Sequence, residues 1–141
     1  MHTARLFSLA LLIVTWLVSP AAAVLQFYKV FQTEYLDNHP DQEWAAFVKK
    51  PANRCFVCHL GKNRKNHNLF GDHLVPMLDR RKDAKDQEKI LAAIREVVAL
   101  PVDPDNPDGE KYLDRIKASQ WPGGELDQLK QEPPGAEDGS Q

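Results

Sequence analysis

Cysteine is scarce in this chain, with two residues among 141. Both lie in one short stretch, as Cys55 and Cys58, so neither has another thiol in the chain with which to form a disulfide. A disulfide between the two themselves would be strained. Neither sign of charge dominates, because the formal net charge is −2. This balance predicts no nucleic-acid partner and no electrostatic attachment to a membrane surface.

Long apolar runs are also rare, and the only one covers residues 6–18. It is shorter than the about 20 residues that a membrane-spanning helix needs. Arg5 precedes it, a Ser-Pro pair ends it, and the alanines at 21–23 provide a small-residue cleavage site, as in an export signal. We therefore predict a signal peptide over residues 1–23 and a periplasmic or otherwise exported protein. After cleavage no stable membrane insertion is expected, and an uncleaved membrane anchor is the alternative.

The sequence Cys55-Phe56-Val57-Cys58-His59 forms a C-x-x-C-H motif, the pattern of covalent haem attachment. Residues i, i+3 and i+4 of a helical turn share one face, so both thiols and the imidazole can meet one flat ligand. The thiols would bond to the two vinyl groups of a porphyrin, and His59 would bind its iron. The motif predicts one haem c, with iron, held by Cys55, Cys58 and His59.

Three other interpretations of the motif stay open. A redox C-x-x-C is expected after a strand, and no strand pattern precedes residue 55. A structural zinc site needs four ligands, for which Cys55, Cys58, His59 and His67 are candidates, although adjacent Cys58 and His59 chelate a small ion poorly. The strained disulfide is the third. Export favours haem, since thiols outside the cytosol tend to oxidise, and thioether bonds to a haem would give these two a stable form.

Helical periodicity predicts an all-α fold of four or five short helices, with no internal repeat and no convincing strand. Apolar residues recur at helical spacing in four segments, 24–37, 40–50 with Pro40 at the first helical position, 82–100 and 110–120. Residues 69–81 can add a helix, kinked or restarted at Pro76, whereas the prolines and aspartates of 101–109 predict a loop. The predicted divisions are an N-terminal helix at 24–39, a haem domain at 40–126 and a disordered polar tail at 127–141.

Around the motif, the chain resembles small exported c-type cytochromes with one haem. WAAFVKKPANRCFVCH is similar to the helical approach to their haem site, KNHNLFG to the loop that follows it in soluble class I cytochromes, and EKYLDRIK to their terminal helix. CHLGKNRKNHNLFG also resembles a group of exported bacterial single-haem proteins. The resemblance, over roughly residues 40–122, implies a cytochrome c-like bundle with thioethers at Cys55 and Cys58. It also implies that His59 is the proximal ligand, donating its other ring N–H to a carbonyl near Asn66 to Asn68.

The second axial iron ligand departs from the family pattern. Class I cytochromes place a methionine late in the chain, whereas no methionine or histidine follows Met77 here. Met77 is the first distal candidate, and His73 would share its helical face. His67 is a weaker candidate because it is close to the motif in sequence. An open position is the remaining alternative.

The distal ligand decides between two functions. Iron with two protein ligands passes electrons at the haem edge, whereas an open face can bind small molecules and react with them. Small size, one haem and export favour a non-enzymatic electron carrier, and a haem enzyme or small-ligand sensor is the alternative. Lys62, Arg64 and Lys65 follow the motif and could steer an acidic redox partner protein. An ordinary solvated loop is the other interpretation of these three.

Overall fold

The computed structural model describes residues 20–135. Within this range lie six α-helices: α1 Pro20–Phe31, α2 Gln42–Lys49, α3 Leu69–Leu74, α4 Gln87–Val98, α5 Tyr112–Lys117 and α6 Leu126–Leu129. A π-helical turn, Gln32–Leu36, extends α1, and a 3-10 turn, Arg54–Val57, begins the C-x-x-C-H motif. Residues 20–135 form no strand, only isolated bridges between His59 and His67 and between Pro101 and Lys111. The all-α prediction is confirmed for these residues.

The predicted signal peptide lies mostly outside the described residues and stays a prediction. Helix α1 already includes its last residues, because it runs from Pro20 through the expected cleavage point after Ala23. No helix in the described part of the chain is both long and apolar enough to cross a membrane.

Aspartate side chains fix where α2 and α4 begin. Asp41 accepts a hydrogen bond from the Trp44 N–H at 2.9 Å, so α2 starts after it and Pro40 lies ahead of the helix rather than in its first turn. Helix α4 starts later than its apolar pattern predicts. The Asp79 carboxylate accepts from the backbone N–H groups of Arg81 and Lys82 at 2.8 and 2.9 Å, and such local bonds hold residues 79–83 in turns instead of a helix.

The core forms on the apolar stripe of α4, as the periodicity predicts. Ile90, Ile94 and Val97 are each at most 1% exposed, and both α1 and α3 pack against this helix. The ring of Phe70 joins the elements, because it meets Phe31 at 5.9 Å and Tyr112 at 5.5 Å between ring centroids, both edge to face. Phe70 therefore joins α3 to α1 and α5 in the core.

His39 is a buried polar residue. It is 5% exposed, and its Nε2 lies 2.8 Å from the Ile116 carbonyl. A carbonyl can only accept, so Nε2 donates and Nδ1 accepts from the Asp41 N–H at 3.1 Å. His39 thus fastens the start of α2 to α5 and takes no part in the haem motif.

The chain after residue 126 differs from the predicted disordered tail. Leu126 and Leu129 stand one helical turn apart in α6 and pack on the core, where Leu129 is 1% exposed. The Leu129 carbonyl also accepts from the Gly61 N–H at 2.7 Å. Two leucines are enough to anchor a segment whose overall composition is polar. Residues 136–141 lie outside the described range, so their predicted disorder stays a prediction.

Candidate haem-attachment site

Cys55, Cys58 and His59 lie in one tight turn and line one cavity. The Cys55 carbonyl accepts from both the Cys58 N–H at 3.2 Å and the His59 N–H at 2.9 Å, which closes the turn. The backbone therefore brings the two thiols and the imidazole to the same side, as their spacing predicts. The turn is 3-10 rather than α-helical over Arg54–Val57.

The cavity has a volume of about 740 Å³, within the range of protein sites that hold small molecules and cofactors. Its walls combine the motif with apolar side chains from α1 and from the end of α3, and with four cations. Its lining residues are Leu25, Phe27, Tyr28, Arg54, Cys55, Cys58, His59, Arg64, Lys65, His67, Leu74, Val75, Leu78 and Arg80. Apolar walls suit a porphyrin ring, and guanidinium and ammonium groups suit its two carboxylates. The residues present fit a haem.

His59 has the protonation state that a metal ligand needs. Its Nδ1 lies 3.3 Å from the Asn66 carbonyl, inside the segment where an acceptor is expected. Because the carbonyl only accepts, Nδ1 carries the hydrogen and Nε2 keeps its lone pair. Burial, and then the neighbouring His67, lower the pKa of His59 below its usual range. The imidazole is therefore neutral near pH 7, as coordination requires.

A pairing of two short segments places the Asn66 carbonyl. The Leu60 N–H donates to the Asn66 carbonyl at 3.0 Å, and the Asn68 N–H donates to the Cys58 carbonyl at 3.0 Å. Between them the chain reverses through a polar loop that begins at Gly61, whose φ of +58° agrees with the left-handed position expected there. The residues after the motif thus fold back onto it.

Asn68 is a site residue that sequence reasoning did not single out. It is 2% exposed, and its side-chain amide donates to the carbonyls of Phe56 and Val57 at 2.9 and 3.1 Å. Its Oδ1 accepts from the Gly71 N–H at 2.9 Å and so caps α3. One side chain therefore fixes the motif and begins the next helix. An asparagine just ahead of an apolar helical stretch is the signal that could have identified the cap.

Gly71 allows α3 to lie directly on the motif. A Cβ at this position would come within 2.0 Å of the Cys58 carbonyl oxygen, which belongs to the backbone and cannot swing away. Any larger residue would push α3 off the turn that carries the thiols. Residue spacing does not indicate this contact, because the contact depends on how two separate segments approach in space.

The C-terminal segment holds the loop that follows the motif. One oxygen of Glu132 accepts from the backbone N–H groups of Lys62 and Asn63 at 2.6 and 3.3 Å. Its other oxygen accepts from the Asn66 side-chain amide at 3.1 Å. These bonds, that from Lys62 above all, lower the pKa of Glu132 below its usual range. The predicted tail thus supports the segment that presents the Asn66 carbonyl to His59.

The Cys58 thiol does not have the electrostatics of a reactive redox cysteine. Both cysteines are free thiols. Burial, with a smaller contribution from Cys55, raises the pKa of the Cys58 thiol to about 12. Catalytic C-x-x-C sites instead lower the pKa of a thiol to make thiolate. Zinc stays an alternative to haem, although no three His, Cys, Asp or Glu side chains within residues 20–135 form a group that could hold a metal ion.

The two leading distal candidates do not line the cavity. Met77 is partly buried against the core, and His73 is exposed, with its ring 5.8 Å from that of Tyr112. His67 does line the cavity, but its ring lies beside that of His59, with 4.9 Å between centroids. Sequence spacing could not separate these three, because the chain turns away from helical geometry after Leu74.

In comparisons with known proteins, no family model, no curated protein and no solved structure matches the chain. The chemistry of the site therefore rests on its own residues: two thiols and a neutral imidazole facing an apolar, cation-rimmed cavity.

Proposed function

We propose that this protein is an exported c-type cytochrome that binds one haem covalently and transfers electrons. The observation that best supports the proposal is that Cys55, Cys58 and His59 line one cavity, with Nδ1 of His59 on the Asn66 carbonyl. Each thiol would add across a porphyrin vinyl group: a carbon–sulfur bond forms, the thiol hydrogen moves to the other vinyl carbon, and nothing is released. The lone pair on His59 Nε2 would face the iron.

The bound haem would supply an iron that alternates between the ferrous and ferric states. The chain's own contribution is to exclude water and to balance charge. Leu74 and Leu78 are buried in the cavity wall, and a low dielectric around the iron is one of the ways in which proteins tune its potential. Arg54, the one cation of the lining that is partly buried, is suited to pair with a haem carboxylate.

The same cavity offers a place for a redox partner. Arg64, Lys65 and Arg80 are exposed and line its rim. A positive rim next to the haem edge would attract an acidic partner protein and orient it for electron transfer. Lys62, expected to belong to this rim, is exposed but does not line the cavity, and its backbone is held by Glu132.

The experiment is to express the full chain in a host that attaches haem to exported proteins, and to measure the intact mass of the purified protein. We expect the intact mass to exceed that of the mature chain by one haem. We also expect that an alkylating reagent finds neither thiol free. The Cys55→Ala and Cys58→Ala variants should each retain less haem, and the double variant none. His59→Ala should keep the covalent group and change the visible spectrum most. A mature protein without added mass, with both thiols free or with zinc bound, would contradict the proposal.

A further inference from the structure

We propose that the iron of this protein has no second protein ligand and that the free side binds a small uncharged molecule of the carbon monoxide or nitric oxide type. The inference rests on the haem attachment proposed above. It adds a binding site to electron transfer, since transfer at the haem edge does not require the second axial position. Three observations on the cavity lining carry it.

The first observation is which side chains of residues 20–135 are absent from the lining. A second ligand must reach the iron across the cavity from His59, so its side chain has to line that cavity. Met77 and His73 do not, although Leu74, Val75 and Leu78 around them do. The backbone after α3 therefore turns leucine and valine towards the cavity, and these cannot coordinate iron.

The second observation concerns His67, the one other histidine of the lining. It forms an isolated antiparallel bridge with His59, and residues directly opposed in such a bridge project to the same side. Their rings accordingly pack against each other, 4.9 Å between centroids and 33° between planes. Two ligands of one iron must stand on opposite faces of a porphyrin. His67 is therefore a neighbour of the first ligand and not the second.

The third observation is that the walls of the cavity contributed by α1 and the end of α3 are mostly apolar. Leu25, Phe27 and the three apolar residues at the end of α3 form these walls. An anionic ligand would lose its hydration there and would compete with a haem carboxylate for Arg54, the partly buried cation of the lining, whereas a neutral diatomic molecule loses little. The cations of the lining that are exposed, Arg64, Lys65 and Arg80, belong to the solvent side of the cavity.

One polar atom in the apolar part of the lining is available to such a ligand. The hydroxyl oxygen of Tyr28 is buried and has no hydrogen-bond partner among the described residues. A buried hydroxyl without a partner is costly, which a ligand that accepts its hydrogen bond would relieve. Burial raises the pKa of Tyr28 to about 12, so the group is a neutral hydroxyl that can donate this hydrogen bond. Tyr28 is thus the residue expected to contact the ligand.

The experiment uses the full-length haem-loaded protein, reduced with dithionite and titrated with carbon monoxide. Covalent haem is first verified by intact mass, so that a failure of haem attachment is distinguished from a failure of ligand binding. We expect carbon monoxide to change the visible spectrum immediately. Met77→Leu and His73→Leu should bind it as the unaltered protein does. If the loaded protein is inert to carbon monoxide, or if one of these substitutions creates binding, the iron has a second protein ligand and the inference is overturned.

The role of Tyr28 is tested separately with Tyr28→Phe, which removes only the hydroxyl. Loss of one hydrogen bond should weaken carbon monoxide binding by about 3- to 10-fold and shift the infrared stretching frequency of the bound molecule. Tyr35→Phe is the matched control, because Tyr35 packs on Phe31 and does not line the cavity. Equal affinity and frequency in Tyr28→Phe and the unaltered protein would overturn the contact assigned to Tyr28.

Discussion

The carboxylate of Glu132 accepts a hydrogen bond from the backbone N–H of Lys62 at 2.6 Å, although 70 residues separate the two in the chain. Glu132 lies in the C-terminal segment, and Lys62 lies in the loop that returns to the haem motif. Through this pair the end of the chain supports the loop whose Asn66 carbonyl orients His59. An acid in a polar tail therefore bears on the proposed iron ligand without contacting it.

Removing this carboxylate should loosen the loop. In Glu132→Ala we expect several-fold faster hydrogen exchange at the amides of Lys62 and Asn63, because their acceptor is lost. The reduction potential of the haem-loaded protein should shift as well, since the hydrogen bond of a ligating histidine tunes its metal. Glu132→Gln keeps an oxygen acceptor and should restore part of both effects.

Asp127→Ala is the matched control for the Glu132 variants. Its carboxylate belongs to the same segment, is 97% exposed and touches only Lys130, at 3.9 Å. It should leave both amide exchange and potential unchanged. If Asp127→Ala and Glu132→Ala behave alike, the effect belongs to the tail as a whole and not to the hydrogen bonds of Glu132.

The hydrogen bonds between Glu132 and the loop after the motif predict that the structure of this loop depends on pH. The bonds to Lys62, Asn63 and Asn66 lower the pKa of Glu132 from its ordinary value of 4.5. A carboxyl with a lowered pKa stabilises the fold fully above its unfolded value and loses that contribution as the pH falls through the folded value. The amide resonance of Lys62 should therefore be constant above about pH 5 and move below pH 4.5. If the Lys62 amide resonance titrated with a midpoint above pH 4.5, the lowered pKa of Glu132 would be contradicted.

Asn68→Ala should be among the most destabilising polar substitutions near the site. It leaves the carbonyls of Phe56 and Val57 and the N–H of Gly71 without their side-chain partner. Each buried group left unpaired costs about 1–3 kcal/mol, so the free energy of unfolding should fall by at least about 2 kcal/mol in a urea titration. Asn38→Ala, at an exposed turn position, should change it by less than about 0.5 kcal/mol.

Gly71→Ala adds one methyl group where the Cys58 carbonyl oxygen would be 2.0 Å away. Overpacking of this kind costs about 1–3 kcal/mol and shifts backbone, so we expect lower thermal stability and less covalent haem per chain. Gly135→Ala adds the same group where no atom lies within 4 Å; its φ of +83° makes the substitution locally strained, but the haem content should be unchanged. Normal haem content in a stable Gly71→Ala protein would show that α3 can move away from the motif without loss.

Charge-reversal substitutions test whether the exposed cations at the cavity rim attract an acidic redox partner. Arg64→Glu and Lys65→Glu replace exposed cations of the cavity lining, so electron transfer from an acidic redox protein should slow several-fold at low salt and lose part of its salt dependence. Lys117→Glu changes the same charge at an exposed position on α5 outside the cavity. Rates that fall equally in all three variants would indicate an effect of net charge and not of the rim.

Local patterns predicted the parts of this protein that depend on neighbours in sequence. The stripe of α4 around Ile94 became the core, and the spacing of Cys55, Cys58 and His59 placed them in one turn. An acceptor for His59 was expected near Asn66 and lies there. These three predictions agree with the structure because helical faces and tight turns depend only on residues a few positions apart in the chain.

Periodicity and residue spacing were enough to predict the helical class and the motif with its three residues. The folded chain was needed to see that Met77 lies outside the cavity, that His67 stands beside His59, and that Glu132 in a polar tail reaches the loop after the motif. The same holds for the contact of Gly71 with the Cys58 carbonyl. The physical reason is that these relationships depend on how separate segments approach in space, and a few hydrogen bonds between distant segments leave no periodic trace in the sequence.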